Sequence, residues 1–530
     1  MTTPPKLPKS RQQLILAVLL SSSLLIWLDN TILTTVFETL ADPVRGLGAS
    51  PAQLQWATGS YTLVFATLMF TAGALGDRFG HRTVLATGMA IFAAASAYAA
   101  YAGEAGDLIA ARAAMGVGSA LIMPAAMAIM MWTFSGPARA TAIGISSASA
   151  GVGMAVGPLL AGVLLDHFWW GSVFLINIPV AVLALVGIVT LIPNFRSPTP
   201  RPLDPAGLLL SISGLASLAY GLIRAGQMAS WTPVDVWAPI AAGLVLLAAF
   251  VLVELRIRQP SLDPRLLARR MFGGGNAALG LLFFALTSAS FYGAFYLQGA
   301  LGFSPLEAGL AFSPAALGAV VGAPLGVRLV RRWSLRPVTV TALTTAGLAM
   351  GSMTLFGLHT PLVWNEIVYL VQGLSIGIVI GPVTTALMNT LPLERAGAGS
   401  AVTNTVRQTG SVLGIAVGGT IMSIAYRSGI EAALPGLPGL PGSALDQARV
   451  SAEQARHVAG VIHRPDLASA ADAAFMDAMH LSAACTMLIA LSGAVLLVIA
   501  LRGDRRPPGS GPESDAPVPT TTASRSAQGS

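Results

Sequence analysis

Apolar runs dominate this chain from one end to the other, and short polar segments punctuate them. The first run, Leu14 to Leu28, is almost wholly aliphatic or serine. About 20 such residues cross a hydrocarbon core ~30 Å thick as one helix. Fourteen stretches fit: 12–37, 53–72, 83–102, 106–132, 139–165, 172–193, 204–225, 233–255, 273–299, 305–328, 337–358, 362–389, 397–425 and 475–501. They predict an all-α membrane protein with 14 transmembrane helices. The gap 426–474 opens on "LPGLPGLPG", which cannot continue a helix, and is expected to be an external loop. The Pro/Ser/Thr-rich stretch 502–530 is expected to be a disordered tail. The first apolar run has no small-residue cleavage site in a fitting place, so no cleavable signal is expected.

Charge tests the count independently. Only 10% of the 530 residues are charged, against roughly 25% in soluble domains. With the N-terminus inside, alternating segments place 22 of the 30 basic residues on the cytoplasmic side and six outside. Cytoplasmic loops collect Arg and Lys in this way, so both termini are expected inside. The same rule accounts for the net charge of +7 without any nucleic-acid partner. Cys485 is the single cysteine, which excludes a disulfide framework, and the histidines show no ligand spacing; no metal site is expected. Lys6 and Lys9 are the only lysines, so there is no phosphate-loop lysine and primary ATP use is excluded.

The chain repeats itself. "GALGDRFGHR" (73–82) and "APLGVRLVRR" (323–332) share Gly76/Gly326, Arg78/Arg328 and Arg82/Arg332 at a constant offset of 250. "MGVGSALIMP" (115–124) echoes "QGLSIGIVIGP" (372–382). The repeat predicts an N-terminal six-helix bundle (12–193) after a cytoplasmic segment 1–11. Two inserted helices (194–255) and a cytoplasmic linker (256–272) follow, then a C-terminal bundle (273–501). Two such repeats flanking a central site are the architecture of alternating-access transporters.

"GALGDRFGHR" resembles the cytoplasmic-loop signature of the major facilitator superfamily at Gly73, Leu75, Asp77, Arg78, Gly80 and Arg82. "LIAARAAMGVGSA" (108–120) resembles the span-4 signature carrying an arginine, here Arg112, with Met115 where glutamine is usual. "GVGMAVGPLLAG" (151–162) resembles the span-5 antiporter signature at Gly153, Gly157, Pro158 and Gly162, with Ala161 replacing a glycine. "LDNTIL" and "WWGSVFLINIP" are similar to the fourteen-helix drug:proton antiporters, especially exporters of quaternary ammonium compounds and dyes. The resemblance implies a non-enzymatic, proton-coupled exporter of small hydrophobic cations in the bacterial cytoplasmic membrane. It is expected to act as a monomer, with no cofactor beyond the proton gradient. It also implies that Asp77, Arg78 and Arg82, between turns at Gly73 and Gly80, form a conformational latch.

The residues themselves point the same way. Asp29 lies about 17 residues into an outward-running helix, roughly 25 Å, and Arg112 about six residues into an inward-running one, roughly 9 Å. Both fall in the outer half, so they are expected to share one aqueous cavity, either as a static ion pair or as a pair that protonation of Asp29 releases. An acid in hydrocarbon costs at least ~2.5–3.5 kcal/mol, which is why such residues mark functional sites. Glu366, near the outer end of its span, is expected to serve coupling or substrate, or to anchor the interface; Arg407 in "NTVRQTG" is a candidate partner for it. Gly153, Gly157 and Ala161 form a small-residue stripe for close helix contact. Trp56, Tyr61, Phe291, Tyr292 and Tyr296 are candidate cavity aromatics for flat cations. One deep carboxylate predicts a preference for monovalent over divalent cations. The alternatives are an exporter of a lipid or endogenous metabolite and, against the Ala/Gly/Leu/Val-rich spans, a nutrient symporter.

Overall fold

The computed structural model describes residues 8–134, 136–196, 204–257, 264–391 and 396–502. Its long helices are α1 (Lys9–Ala41), α2 (Pro51–Phe79), α3 (His81–Ala100), α4 (Ala105–Thr133), α5 (Gly136–His167) and α6 (Asn177–Leu191). Next come α7 (Pro205–Met228), α8 (Val234–Arg256), α9 (Arg270–Phe295), α10 (Pro305–Trp333), α11 (Leu335–Gly351), α12 (Leu362–Asn389) and α13 (Ala396–Ala433). The short helices α14 (Gly442–Val450) and α15 (Ala452–Val461) precede the last long one, α16 (Pro465–Ala500).

Among the described residues twelve helices are long and apolar enough to cross a membrane, and a thirteenth counts if the bent pair Pro51–Met69 and Thr71–Phe79 is one span. The bend there is 52°. In α5 the apolar stretch is the shorter Val156–His167. On length and composition the described residues thus show twelve or thirteen spans rather than the fourteen expected.

The internal repeat extends to helix starts. Ser50 caps α2 through Gln53, and Ser304 caps α10 through Glu307, each a reciprocal capping box with proline at the first helical position. This S-P-x-Q/E echo was readable in the sequence and was missed there. The segment 426–474, expected as a loop, is mostly helical. α13 runs on to Ala433, α14 and α15 follow the Pro/Gly turns, and α16 starts at Pro465. Tyr426 ties this cap down by donating to Ala448 O at 2.9 Å. The Pro/Gly repeat stops α13 but does not stop the chain from starting new helices a few residues later. The predicted tail lies outside the described residues from 503 onward.

The two bundles meet along two seams. At one, α2 packs on α13, and the inserted α7 covers the joint: Leu63, Leu215, Ala219 and Val412 form one buried cluster, and Thr420 donates to Leu222 O at 2.7 Å. α8 lies outside α7 and is largely exposed on its outer face. At the other seam α5 packs on α10, with no inserted helix over it. Toward the C-terminal end of α1, Phe37 meets Phe291 and Phe295 of α9 at centroid distances of 5.5 and 6.0 Å.

Candidate functional site in the N-terminal bundle

The polar centre of the N-terminal bundle is built by five helices, α1, α2, α3, α4 and α6. Arg112 Nη1 lies 2.5 Å from Asp29 Oδ2, and each side chain is 1% exposed. The guanidinium does not rely on the carboxylate alone. Its Nε donates to Ala57 O at 3.2 Å, and its plane sits 4.4 Å from the Tyr61 ring centroid. Tyr61 in turn donates to Ser119 Oγ at 2.8 Å and accepts from Asn30 at 3.2 Å. Asn177 of α6 reaches Asp29 Oδ1 at 3.4 Å and Ser96 Oγ at 3.2 Å. A buried pair survives only when its remaining donors and acceptors are met in this way.

Asp29, Arg112 and Tyr61, three residues singled out by sequence, thus form one network. Asn30, Ser96, Ser119 and Asn177 belong to it and were missed. Asn177 stands within the quoted "LINIP", and an amide beside a family motif is the signal that could have found it. The expected aqueous cavity is corrected: the pair is enclosed by protein. The charge of Asp29 is already matched by Arg112, so it is no free carboxylate for a cation, and the expected monovalent preference loses its basis. Tyr61 holds Arg112 rather than offering an open face to a ligand.

The glycines of α5 explain why this pair matters beyond its own bundle. A Cβ on Gly153 would lie 2.6 Å from Trp27 Cβ, and one on Gly157 would strike the Thr31 side chain and approach Leu28 O at 3.3 Å. Thr31 also donates to Gly153 O at 3.2 Å. These are the residues on either side of Asp29. Further along α5, Gly162 packs on the backbone of Pro305 and Leu306, and the Pro158 carbonyl packs on Gly309. Ala161 is fully buried. One stripe therefore grips α1 around Asp29 and α10 of the opposite bundle.

The 73–82 segment is helical on both sides of Gly80, so the turn expected at Gly73 does not form, and the segment docks inside its own bundle. Gly80 has φ +98°, a left-handed geometry suited to glycine, and a Cβ there would also collide with Asn194. Asn194 donates to Thr83 Oγ1 at 3.1 Å, His81 N to Phe195 O at 3.0 Å, and Arg82 to Ile192 O at 3.4 Å. Asp77 approaches His81 Nε2 at 3.4 Å, and Arg78 sits over the Phe79 ring. A Cβ on Gly73 would meet open space, so Gly73 is not held by crowding.

The remaining candidates scatter. Glu366 does not join Asp29. It is half-buried, without a partner among the described residues, in an apolar groove of about 650 Å³ beside Val156, Leu159, Leu317 and Ile367. The suggested Glu366–Arg407 pair does not form: Arg407 stacks on Phe283 at 4.2 Å, and its Nε has no acceptor. Trp56 packs against Tyr220 of α7 at 6.5 Å, on the covered seam rather than in a central cavity. Phe291 lies between bundles, while Tyr292 and Tyr296 are fully buried in the C-terminal one. Among the described residues no three His, Cys, Asp or Glu side chains converge on a metal-sized site.

Residues 19–415 match the sequence profile of the Major Facilitator Superfamily. The chain belongs to the major facilitator superfamily. It is a multi-pass membrane transporter, and its relatives carry efflux and resistance names. The puromycin resistance protein pur8 of Streptomyces alboniger is 36% identical over 420 residues, 78% of this chain and 82% of that protein. The multidrug efflux pump LfrA of Mycolicibacterium smegmatis is 31% identical over 494 residues, 93% of this chain and 97% of that one. The methyl viologen resistance protein SmvA of Salmonella typhimurium is 30% identical over 497 residues, 91% and 97% of the two chains. Among solved structures the fold resembles a bacterial homologue of the human lysosomal transporter Spinster. The TM-score is 0.66 at 16% identity, covering 93% of this chain and 98% of that one.

Proposed function

We propose that this transporter is a fourteen-span drug:proton antiporter that exports hydrophobic cations and dyes across the bacterial cytoplasmic membrane, with both termini inside. The bent α2 and the long α5 supply the two spans beyond those that pass on composition alone. The observation that carries the mechanism is that Asp29, paired with Arg112, lies on the turn of α1 whose neighbours Trp27, Leu28 and Thr31 touch Gly153 and Gly157 of α5. Protonating Asp29 removes the charge that Arg112 needs, and the loosened α1 lies against Gly153 and Gly157 of the same helix whose Gly162 packs on α10. A proton entering across 100 mV and one pH unit delivers about 3.7 kcal/mol. Leaving one member of a buried pair unmatched costs about 3–5 kcal/mol. The driving force and the switch are thus of the same size. In the opposite step, loss of the proton restores the pair and reseats α5. The relatives named for multidrug efflux and for methyl viologen and puromycin resistance support the cargo class.

The test is ethidium transport by the purified chain in proteoliposomes under an imposed pH gradient. The proposal expects uphill ethidium movement that collapses when a protonophore removes the gradient. Transport indifferent to the gradient would contradict it.

A further inference from the structure

The two copies of the repeated ten-residue motif have parted in charge. In 73–82 Asp77 accompanies the arginines and meets His81, and Arg82 donates to Ile192 O within its own bundle. In 323–332, at the offset of 250, Val327 replaces Asp77 and Arg331 replaces His81, and Arg336 follows four residues after Arg332. Arg328, Arg331, Arg332 and Arg336 are all exposed. None of them meets a carboxylate or a backbone carbonyl among the described residues. Arg332 lies 5.8 Å from the centroid of the Trp333 ring, itself exposed.

Glycines set the direction in which this end of α10 faces. Gly318, Gly322 and Gly326 press the helix against the carbonyls of Leu370, Leu374 and Ile378 on α12. Leu317, Val321, Pro324, Arg328 and Arg331 recur at helical spacing on the other side, and all five are exposed. One outward stripe thus passes from apolar residues straight into arginines. α10 has 29 residues, about 43 Å, and overruns a hydrocarbon core of ~30 Å. Centred on that core, it brings Arg328 to the boundary and Arg331, Arg332 and Trp333 into the headgroup layer, where tryptophan also collects.

Simpler accounts cover part of this. Arg331 and Arg332 fall in the last turn of α10 and suit the negative end of its dipole, but Arg328 and Arg336 lie outside that turn. Topology asks for basic residues somewhere on this side of the membrane. It does not ask for four within nine positions, two of them continuing a stripe that faces lipid.

We propose that Arg328, Arg331, Arg332 and Arg336 hold the phosphate of an anionic phospholipid, with its acyl chains laid along Leu317, Val321 and Pro324. Each guanidinium fork matches phosphate oxygens two at a time. The apolar stripe is what selects a lipid over a soluble polyanion, which has no use for it. With both termini inside, as proposed above, the lipid belongs to the cytoplasmic leaflet; binding itself needs only that α10 crosses the bilayer.

The test is lipid retention by the purified full chain in nonionic detergent, read by native mass spectrometry. Dioleoyl phosphatidylglycerol and dioleoyl phosphatidylcholine, alike in their chains, are offered together. Phosphatidylglycerol is expected to be preferred at least about tenfold. Arg328→Gln with Arg331→Gln, and Arg332→Gln with Arg336→Gln, are each expected to cut that preference at least about fivefold, the worth of one arginine at an anionic surface. All four side chains are exposed, so both variants are expected to fold; if one does not, the other and the wild type still decide. Equal retention of the two lipids, or a preference unchanged in a folded variant, would overturn the proposal. So would displacement of phosphatidylglycerol by excess inorganic tripolyphosphate, which would mark a site for soluble polyanions.

Discussion

Gly157 of α5 packs against Thr31 of α1 with no room for even a methyl group between them, and Thr31 stands two residues beyond Asp29. The contact joins the buried charge pair to the helix that crosses to the opposite bundle. Gly157→Ala should therefore lower the thermal midpoint by the equivalent of about 1–3 kcal/mol, the usual cost of overpacking. Adding Thr31→Ala should recover most of that loss by removing the clashing side chain. Melting curves of the two proteins in detergent check this. A Gly157→Ala protein as stable as wild type would show that the seam yields.

Removing one member of the Asp29–Arg112 pair should cost far more than removing both. Arg112→Gln or Asp29→Ala alone should destabilise by about 3–5 kcal/mol, because a lone charge remains buried. The doubly neutral Asp29→Asn, Arg112→Gln protein should melt closer to wild type. The coupling is read from a double-mutant cycle on thermal stability. Additive losses would mean that the pair contributes nothing as a pair.

Glu366 should behave in the opposite way. It has no partner among the described residues, so Glu366→Gln removes an acid from an apolar groove and should leave the thermal midpoint unchanged or raised. A clear drop in melting temperature would reveal a partner for Glu366.

At the C-terminal end of α1, beyond its apolar span, Glu38 has its carboxyl pushed above the usual range, first by burial and then by Glu453 and Asp42, with Arg456 and Arg45 opposing. A raised carboxylate favours the protonated form. Its contribution to stability is complete below the unfolded-state value and is lost as pH rises through the folded one. Wild type should therefore melt higher as pH falls from about 7 toward about 5, and Glu38→Gln should flatten that slope. Melting across that range is the check, and identical slopes would count against it.

The sequence revealed much of this because membrane spans are declared by composition. The long apolar helices, the small-residue stripe of α5 and the deep ion pair follow from apolar runs, glycine spacing and misplaced charges. What stayed hidden has a common physical reason. Asn177, Ser96 and Ser119 act through contacts between helices, and a neutral polar residue within an apolar span carries no signal of which neighbour it faces. The enclosure of Asp29 was missed because depth along a helix does not tell which way a side chain points.

The central claim is that protonation of Asp29 drives the switch. The most direct measurement is uphill ethidium transport in proteoliposomes by Asp29→Asn, a permanent mimic of the protonated acid, beside wild type at equal reconstituted amounts. The account predicts that the variant inserts and folds but that gradient-driven transport falls to the level of protein-free vesicles. Wild-type rates from Asp29→Asn would contradict it.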